Sequence, residues 1–129
     1  IGFDAGAIHD ALARTDYLVI ACPLTDTTRE LIDEAAFATL PPDAVLVNVA
    51  RGGIVDTDAL VATIREGGLR GAALDVTDHP LWEFGNVVIT SHSGGHTPEH
   101  WPRLAEIVAT NVERLDAGEP LSNEILPAE

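Results

Sequence analysis

Short apolar runs alternate along the chain with segments whose apolar residues recur at helical spacing. The apolar runs are rich in Val, Ile, Leu and Ala, which is typical of strands buried on both faces. They lie at residues 17–22, 44–49, 69–75 and 86–90, and residues 1–4 have the pattern of the end of a further strand. The helical segments lie at residues 8–14, 34–40, 59–66 and 97–117. This alternation predicts an α/β fold in which helical crossovers connect the strands of a parallel sheet.

Local signals indicate where several predicted elements begin and end. Pro23 follows the strand-like run at 17–22, and Asp33 is predicted to cap the helix at 34–40. Thr97 is predicted to cap the last helix, with Pro98 at its first position and Gly118 as its C-cap. The predicted apolar face of this last helix comprises Trp101, Leu104, Ile107, Val108, Val112 and Leu115.

The composition is that of one globular domain with a hydrophobic core. The chain has 129 residues, 46% of them apolar, and its mean hydropathy is +0.14. No apolar run is long enough to cross a membrane, and no basic and apolar leader opens the chain, so neither a membrane partner nor a signal peptide is expected. The single cysteine, Cys22, cannot form an internal disulfide, and a cytoplasmic location is expected.

The charge of the chain is strongly acidic. There are 21 acidic residues against seven basic ones, all seven are arginine, and the formal net charge is −14. This balance argues against nucleic acid or an anionic membrane as a partner. The carboxylates are spread over predicted helix faces, as at Glu99, Glu106, Glu113 and Asp116. That spread and the absence of lysine favour a halophilic, salt-adapted protein, and an ordinary acidic cytosolic domain is the alternative.

Three predicted strands are followed by side chains that can carry chemistry: Arg51, Asp75 and His92. In open α/β sheets, ligands bind at the carboxyl ends of the strands, so these side chains are candidates for one site. A guanidinium can hold a carboxylate through two hydrogen bonds, and an imidazole can exchange a proton near neutral pH. The alternative for Arg51 is a surface arginine that happens to end a strand. Asp4 follows the first strand fragment, where a ribose-binding carboxylate stands in a dinucleotide fold.

Other potential sites are not supported by their spacing. His92, His96 and His100 have a spacing of four residues, but intervening glycines and a proline interrupt any continuous helix, so no metal site is expected. His9 and His79 are predicted to be surface residues, and Cys22 has no neighbouring base. Neither a G-x-G-x-x-G motif nor a P-loop is present, so the chain alone is not expected to bind a pyrophosphate in the usual way.

Several segments, taken in order, resemble the D-isomer-specific 2-hydroxyacid dehydrogenase family. They are residues 23–29, 48–56, 71–76, 80–82 and 86–92. The resemblance implies a partial Rossmann-like, doubly wound parallel sheet with flanking helices. It also implies hydride transfer between NAD, with NADP possible, and a 2-hydroxy or 2-keto acid, in a homodimer. Residues 1–117 would form an incomplete dinucleotide-binding domain without its glycine-rich loop and first βα unit, and residues 118–129 a tail toward a substrate domain.

The resemblance also implies roles for individual residues. Arg51 would hold the substrate carboxylate and carbonyl oxygen, and His92 would give or take the hydroxyl proton. Asp4 would favour NAD, because a carboxylate repels the 2′-phosphate of NADP. The residues that would lie along the cofactor are Asp4, Cys22, Pro23, Thr28, Ala50, Arg51, Asp75, His92 and Gly94.

The chain departs from the family pattern at two places near the predicted site. Ser91 stands where the family has a proline before its histidine, and the segment with the glutamate that orients this histidine is missing between Asp78 and His79. The connection after Asp4 is also short. Two explanations are open. Either residues are missing from the sequence at these junctions although the numbers run on without a break, or the chain is a truncated product. The 129 residues alone are not expected to turn over. A non-catalytic interaction module with a nucleotide-binding fold is the alternative function.

Overall fold

A computed structural model of the chain describes residues 5–76 and 79–124. Asp4 and the junctions after Asp4 and Asp78 therefore lie outside the described residues. The helices are α1 (Ala5–Leu12), α2 (Glu34–Thr39), α3 (Thr57–Arg65) and α4 (His100–Ala117), with 3-10 turns at Gly52–Ile54 and His79–Glu83. The strands are β1 (Tyr17–Ile20), β2 (Val45–Asn48), β3 (Gly71–Leu74) and β4 (Val87–Ile89).

The four strands form one parallel sheet in the order β1-β2-β3-β4. Val45 pairs with Tyr17 on one side and with Gly71 on the other, and Ala72 pairs with Val87. The parallel α/β architecture predicted from the alternating pattern is thus confirmed. All four strands point the same way, so the loops that follow them meet at one edge of the sheet, which we call the carboxyl edge.

The core lies around the two central strands. Leu46 of β2 is fully buried, and Phe37 of α2 and Leu60 and Ile64 of α3 belong to the same apolar cluster. Asp33 caps α2 as predicted, because its side chain accepts a hydrogen bond of 2.9 Å from the backbone nitrogen of Ala36. The central strands are therefore held on a packed scaffold, which gives the loops at their carboxyl ends fixed starting points.

The prediction of a buried strand at residues 17–22 was wrong for one face of the strand. β1 is an edge strand, and Tyr17 and Val19 are 61% and 58% exposed, whereas Ile20 is buried. An apolar run reports that a strand is hydrophobic, but its burial depends on what covers each face. Within the described part of the chain, the face that bears Tyr17 and Val19 is left open.

The last helix begins later than predicted. The chain divides into two compact units, Ile1–Gly94 and Gly95–Glu129, and α4 in the second unit starts at His100. Thr97 contributes its backbone carbonyl to a turn with the nitrogen of His100, and Pro98 precedes the helix. Pro102 explains the shift: it falls in the first turn of a helix that starts at His100, where a nitrogen without a hydrogen is tolerated.

The other features of α4 were predicted in part. Gly118 ends the helix in a left-handed conformation with φ 66°, which confirms the predicted C-cap. No residue of α4 is buried, and the side chains of its predicted apolar face are exposed. None of the described helices combines the length and the apolar character needed to span a bilayer.

Candidate functional site

The carboxyl edge brings together the loops that bear the predicted site residues of the first unit. Cys22 and Pro23 follow β1, Arg51 follows β2, Asp75 follows β3, and residues 90–94 follow β4. The loops with Arg51 and His92 therefore lie on the same edge of the sheet, separated by the single strand β3. This arrangement follows from the parallel topology and agrees with the position expected from the sequence.

The turn that carries Arg51 is shaped by a buried amide, Asn48. This side chain is 1% exposed, its Nδ2 donates to the carbonyl of Arg51 at 3.0 Å, and its Oδ1 accepts from the nitrogen of Ala50 at 3.0 Å. Arg51 itself is exposed, and its Nη1 donates to the carbonyl of Ala50 at 2.7 Å. Sequence reasoning gave Asn48 no role, although a polar residue inside the run 44–49 was a usable signal.

The loop after β1 is held by Thr28, which is 3% exposed. Its hydroxyl donates to the carbonyl of Pro23 at 2.7 Å and accepts from the nitrogen of Thr25 at 2.7 Å. The predicted cofactor residue Thr28 is thus placed inside the loop, where it fixes the backbone. Beside this loop an open cleft of about 570 Å³ is lined by Ala21, Cys22, Pro23, Leu24, Val49, Ala50 and Arg51.

The loop after β4 is folded onto the carboxylate of Asp75, which is 6% exposed. Oδ1 accepts from the hydroxyl of Thr90 and from the nitrogen of Ser93 at 2.9 Å, and Oδ2 accepts from the nitrogen of Gly94 at 2.8 Å. The hydrogen bond from Thr90 and then that from Gly94 hold the pKa of Asp75 below its usual value, against the opposing effect of burial. A Cβ at position 94 would lie 2.9 Å from Oδ2, so a larger residue there would displace the carboxylate or the loop.

His92 lies at the tip of this loop, with an exposed side chain. Its φ is 58°, in the left-handed region that costs a residue other than glycine on the order of 1–3 kcal/mol. The groups that Asp75 binds, at Thr90, Ser93 and Gly94, flank His92 on both sides. The hydrogen bonds to Asp75 therefore hold the backbone of His92 in its strained conformation and leave the imidazole free to meet a ligand.

The remaining candidate residues are two histidines of the second unit and Cys22. The rings of His96 and His100 lie 5.0 Å apart in the second unit, beside Trp101. Among the side chains that the structure describes, no group of three His, Cys, Asp or Glu could hold a metal ion. The thiol of Cys22 is unpaired and half-buried in the cleft beside Arg51.

Comparison with known proteins now adds to this geometry. The family model described as "D-isomer specific 2-hydroxyacid dehydrogenase, NAD binding domain" matches residues 1–94. This chain belongs to that family. The membership confirms the resemblance carried by the separate motifs, and the Rossmann-like parallel sheet agrees with it.

Individual members of the dehydrogenase family are similar along nearly the whole chain. D-3-phosphoglycerate dehydrogenase of Mycobacterium leprae and glyoxylate reductase of Aeropyrum pernix are each 41% identical over 125 residues, which is 92% of this chain. The chain spans only 24% and 37% of their lengths. A crystal structure from Xanthobacter autotrophicus Py2, a D-isomer specific 2-hydroxyacid dehydrogenase in complex with NADPH and MES, superposes with a TM-score of 0.78. It is 36% identical, and the match covers 95% of this chain and 52% of that one.

Proposed function

We propose that this chain is the cofactor-facing part of an NAD(P)-dependent oxidoreductase that interconverts a 2-hydroxy acid and a 2-keto acid. The observation that carries the proposal is the placement of the Arg51 and His92 loops on one edge of the sheet, in a member of the dehydrogenase family. A cation for the substrate carboxylate and a group for its hydroxyl proton are the two functions that such a substrate requires.

The cleft at the carboxyl edge fits the nicotinamide end of the cofactor. Its walls are mostly small or apolar side chains, including Ala50 and Pro23, and Arg51 also lines it. Cys22, Pro23, Ala50, Arg51, Asp75, His92 and Gly94 would line the cofactor. Thr28, also predicted to lie along the cofactor, is buried and would act by fixing the loop beside it. The predicted contact by Asp4 lies outside the described residues. The bound cofactor supplies or accepts the hydride. NAD is the proposed form and NADP is the alternative, since the related X. autotrophicus structure contains NADPH.

Arg51 is suited to bind the carboxylate of the substrate. One of its guanidinium nitrogens is fixed by the carbonyl of Ala50, which sets the orientation of the side chain. A guanidinium has five N–H donors in a planar fork, so the others can bind a carboxylate through two hydrogen bonds and reach the adjacent carbonyl oxygen. We therefore assign substrate orientation to Arg51.

His92 is suited to exchange the proton of the substrate hydroxyl. Its side chain is exposed, and an imidazole nitrogen can donate to the carbonyl oxygen of a 2-keto acid or accept from the hydroxyl of a 2-hydroxy acid. The carboxylate of Asp75, ionised because its pKa is lowered, places a negative charge beneath this loop. We assign proton transfer to His92.

We also propose that the protein is cytoplasmic, homodimeric and adapted to high salt, with a small organic acid as its partner rather than nucleic acid or a membrane. The net charge of −14 and the absence of lysine support adaptation to salt. The single cysteine is consistent with a reducing compartment. The dimer rests on the resemblance to the family, and sedimentation in high salt would test it.

The test of the proposed function uses NADH and a panel of 2-keto acids in high salt. In an isotope-labelled longer polypeptide that contains this chain, NMR shifts are expected to change at Arg51, Asp75 and His92 when NADH and the acid are added together. Turnover, followed as NADH oxidation, is expected only from a longer polypeptide that contains this chain. Arg51→Ala is expected to abolish the response to the acid. Its matched control is Arg70→Ala, which removes an exposed guanidinium bonded to the Tyr17 hydroxyl near the opposite ends of the strands.

Two results would contradict the proposal. One is an equal loss of response in the Arg51 and Arg70 variants, because only Arg51 lies on the carboxyl edge. The other is the absence of any shift at this edge with NADH, which would favour the non-catalytic interaction module.

A further inference from the structure

The buried polar side chains of this protein are concentrated at the carboxyl edge. Among the side chains that the structure describes, those buried and polar or charged are Thr28, Asn48 and Asp75. None of the described buried side-chain nitrogens or oxygens lacks a hydrogen-bond partner. Burial of a polar group is unfavourable unless it is hydrogen-bonded, so each of these residues needs a structural reason for its position. Thr28 holds the loop after β1, and the other two residues act on the loops with Arg51 and His92.

A continuous hydrogen-bonded path connects the Arg51 turn to the His92 loop. The side chain of Asn48 binds the backbone on both sides of the Ala50–Arg51 peptide bond, through the nitrogen of Ala50 and the carbonyl of Arg51. The carbonyl of Asn48 accepts from the nitrogen of Asp75 at 2.9 Å. The carboxylate of Asp75 then binds the loop at residues 90–94. The two loops thus share one path that crosses from β2 to β3.

We propose that Asn48 and Asp75 are positioning residues that fix the Arg51 turn relative to the His92 loop. The structural link stands on the hydrogen bonds alone, and its catalytic meaning rests on the proposed function. Two side chains that act on one substrate must keep their relative geometry to within a fraction of an ångström. Both side chains are exposed and extend from loops, so the packed core does not fix them directly. The buried polar path provides that connection.

The first test measures amide hydrogen exchange by NMR in the 129-residue chain. Asp75→Asn replaces one carboxylate oxygen with an amide group that cannot accept a hydrogen bond. Exchange at Ser93 and Gly94 is expected to accelerate about tenfold or more, while the amides of β2 and β3 keep their rates. Thr90→Val is a milder variant at an exposed position, which removes only the hydroxyl donor to Asp75. Asp33→Asn is the matched control, because asparagine caps a helix as well as aspartate does.

The exchange test has two contradicting outcomes. Unchanged rates at Ser93 and Gly94 in the Asp75 variant would show that the carboxylate does not hold the loop. A uniform acceleration that includes β2 and β3 would show a general loss of stability and would also overturn the proposal. Acceleration confined to the loop, in both the Asp75 and Thr90 variants, would support it.

The second test measures kinetics in a longer polypeptide that contains this chain. Asn48→Ala is expected to raise KM for the 2-keto acid, because it loosens the turn with Arg51. Thr90→Val is expected to lower kcat, because it loosens the loop with His92, and to change KM for the 2-keto acid less than Asn48→Ala does, since the Arg51 turn keeps its own hydrogen bonds. Each change is expected to be about tenfold or more, as misplacement of a reacting group is costly. Asn86→Ala is the control for Asn48, because this exposed side chain donates only to the carbonyl of Arg70.

The kinetic result separates this inference from the proposed function. A wild-type enzyme without activity on any 2-keto acid would refute the proposed function, and hydrogen exchange would still decide whether the two loops are linked. An active wild type with normal kcat and KM in both the Asn48 and Thr90 variants would refute the positioning role alone. An equal loss in Asn86→Ala would do so as well.

Discussion

Substitution of Gly71 by alanine is expected to force β3 and β4 apart. Gly71 is buried at the start of β3, and a Cβ at this position would lie 2.5 Å from the backbone carbonyl oxygen of Asn86. Ordinary van der Waals contacts of a Cβ begin near 3.4 Å, so β3 and the segment with Asn86 must separate by about 1 Å. The same carbonyl accepts a hydrogen bond of 3.1 Å from the nitrogen of Ala72, which is the first link between these strands.

The magnitude of the effect follows from opposing contributions. Overpacking against backbone costs about 1–3 kcal/mol. Weakening the Ala72–Asn86 hydrogen bond adds about 1 kcal/mol. Alanine also restricts the unfolded chain, which stabilises the folded state by about 0.4–1 kcal/mol. Steric overlap wins, and Gly71→Ala is expected to lower the free energy of unfolding by about 2–3 kcal/mol. At roughly 4 °C per kcal/mol for a chain of this size, the Tm falls by about 8–12 °C.

Gly85→Ala is the matched control, because this glycine precedes β4 and a Cβ there would meet nothing within 4 Å. Its free energy of unfolding is expected to stay unchanged or to rise slightly. Urea denaturation followed by far-UV circular dichroism is the assay, since Trp82 and Trp101 are exposed and report poorly on the core. The reasoning would be refuted if the free energy of unfolding of the Gly71 variant lay within about 0.5 kcal/mol of the wild-type value, a difference too small to interpret.

The remaining expectations concern single side chains. Asn48→Ala leaves the buried nitrogen of Ala50 without its acceptor and should lower the free energy of unfolding, measured by urea denaturation, by about 2 kcal/mol. Asn48→Asp buries a charge and should lower it further. Variants as stable as the wild type would contradict this account. Asp33→Ala should cost about 1 kcal/mol and Asp33→Asn almost nothing, measured in the same way. The lowered pKa of Asp75 contributes stability that is present above its ordinary value of 3.8 and is lost as pH falls through the folded value. The Tm difference between wild type and Asp75→Asn should therefore shrink as the pH falls below 3.8. A difference that stays constant over this range would contradict the stabilising role of the Asp75 carboxylate.

Helix ends show how far local sequence signals reach. The caps at Asp33 and Gly118 were predicted because each depends on one residue and its adjacent backbone. The start of α4 was misplaced because Thr97 and Pro98 alone satisfy the rule for a helix entry. Pro102 contradicts that start, since a helix from Pro98 would need its missing N–H. The correct start was therefore available from the sequence, but only when every proline in the segment is tested against the proposed first turn.

Strand burial was less accessible from the sequence. The composition of residues 17–22 correctly predicted a strand, yet Tyr17 and Val19 are exposed because their face of β1 is not covered within the described part of the chain. Strand order is a property of long-range pairing, and an apolar run carries no information about its neighbours. The predicted and observed sheets thus agree in topology class and differ in which faces are covered.

The sequence predicted that the candidate residues Arg51 and His92 lie at one edge of the sheet, but it did not predict the side chains that hold their loops. Arg51 and His92 could be found because polar residues directly after buried strands converge in a parallel sheet. Asn48 binds backbone atoms of Ala50 and Arg51 in the turn that follows it, and the hydroxyl of Thr90 donates to the side chain of Asp75. These contacts exist only once the loops have folded. Side chains that interrupt an apolar run, as Asn48 does, are the sequence signal that such supports leave.

The exposed carboxylates, which give the chain its net charge, are distinct from the buried carboxylate of Asp75, which holds the His92 loop. Most acidic side chains are exposed, so salt screens their mutual repulsion, over about 8 Å at 0.15 M and about 3 Å at 1 M ionic strength. Asp75 is the buried carboxylate of the described residues, and its partners are three donors from one loop. Screening acts weakly on a buried, fully bonded group, so the His92 loop should keep its conformation while salt changes the stability of the acidic surface. Under the proposed adaptation to salt, this separation would keep the geometry of the His92 loop constant while the ionic strength changes.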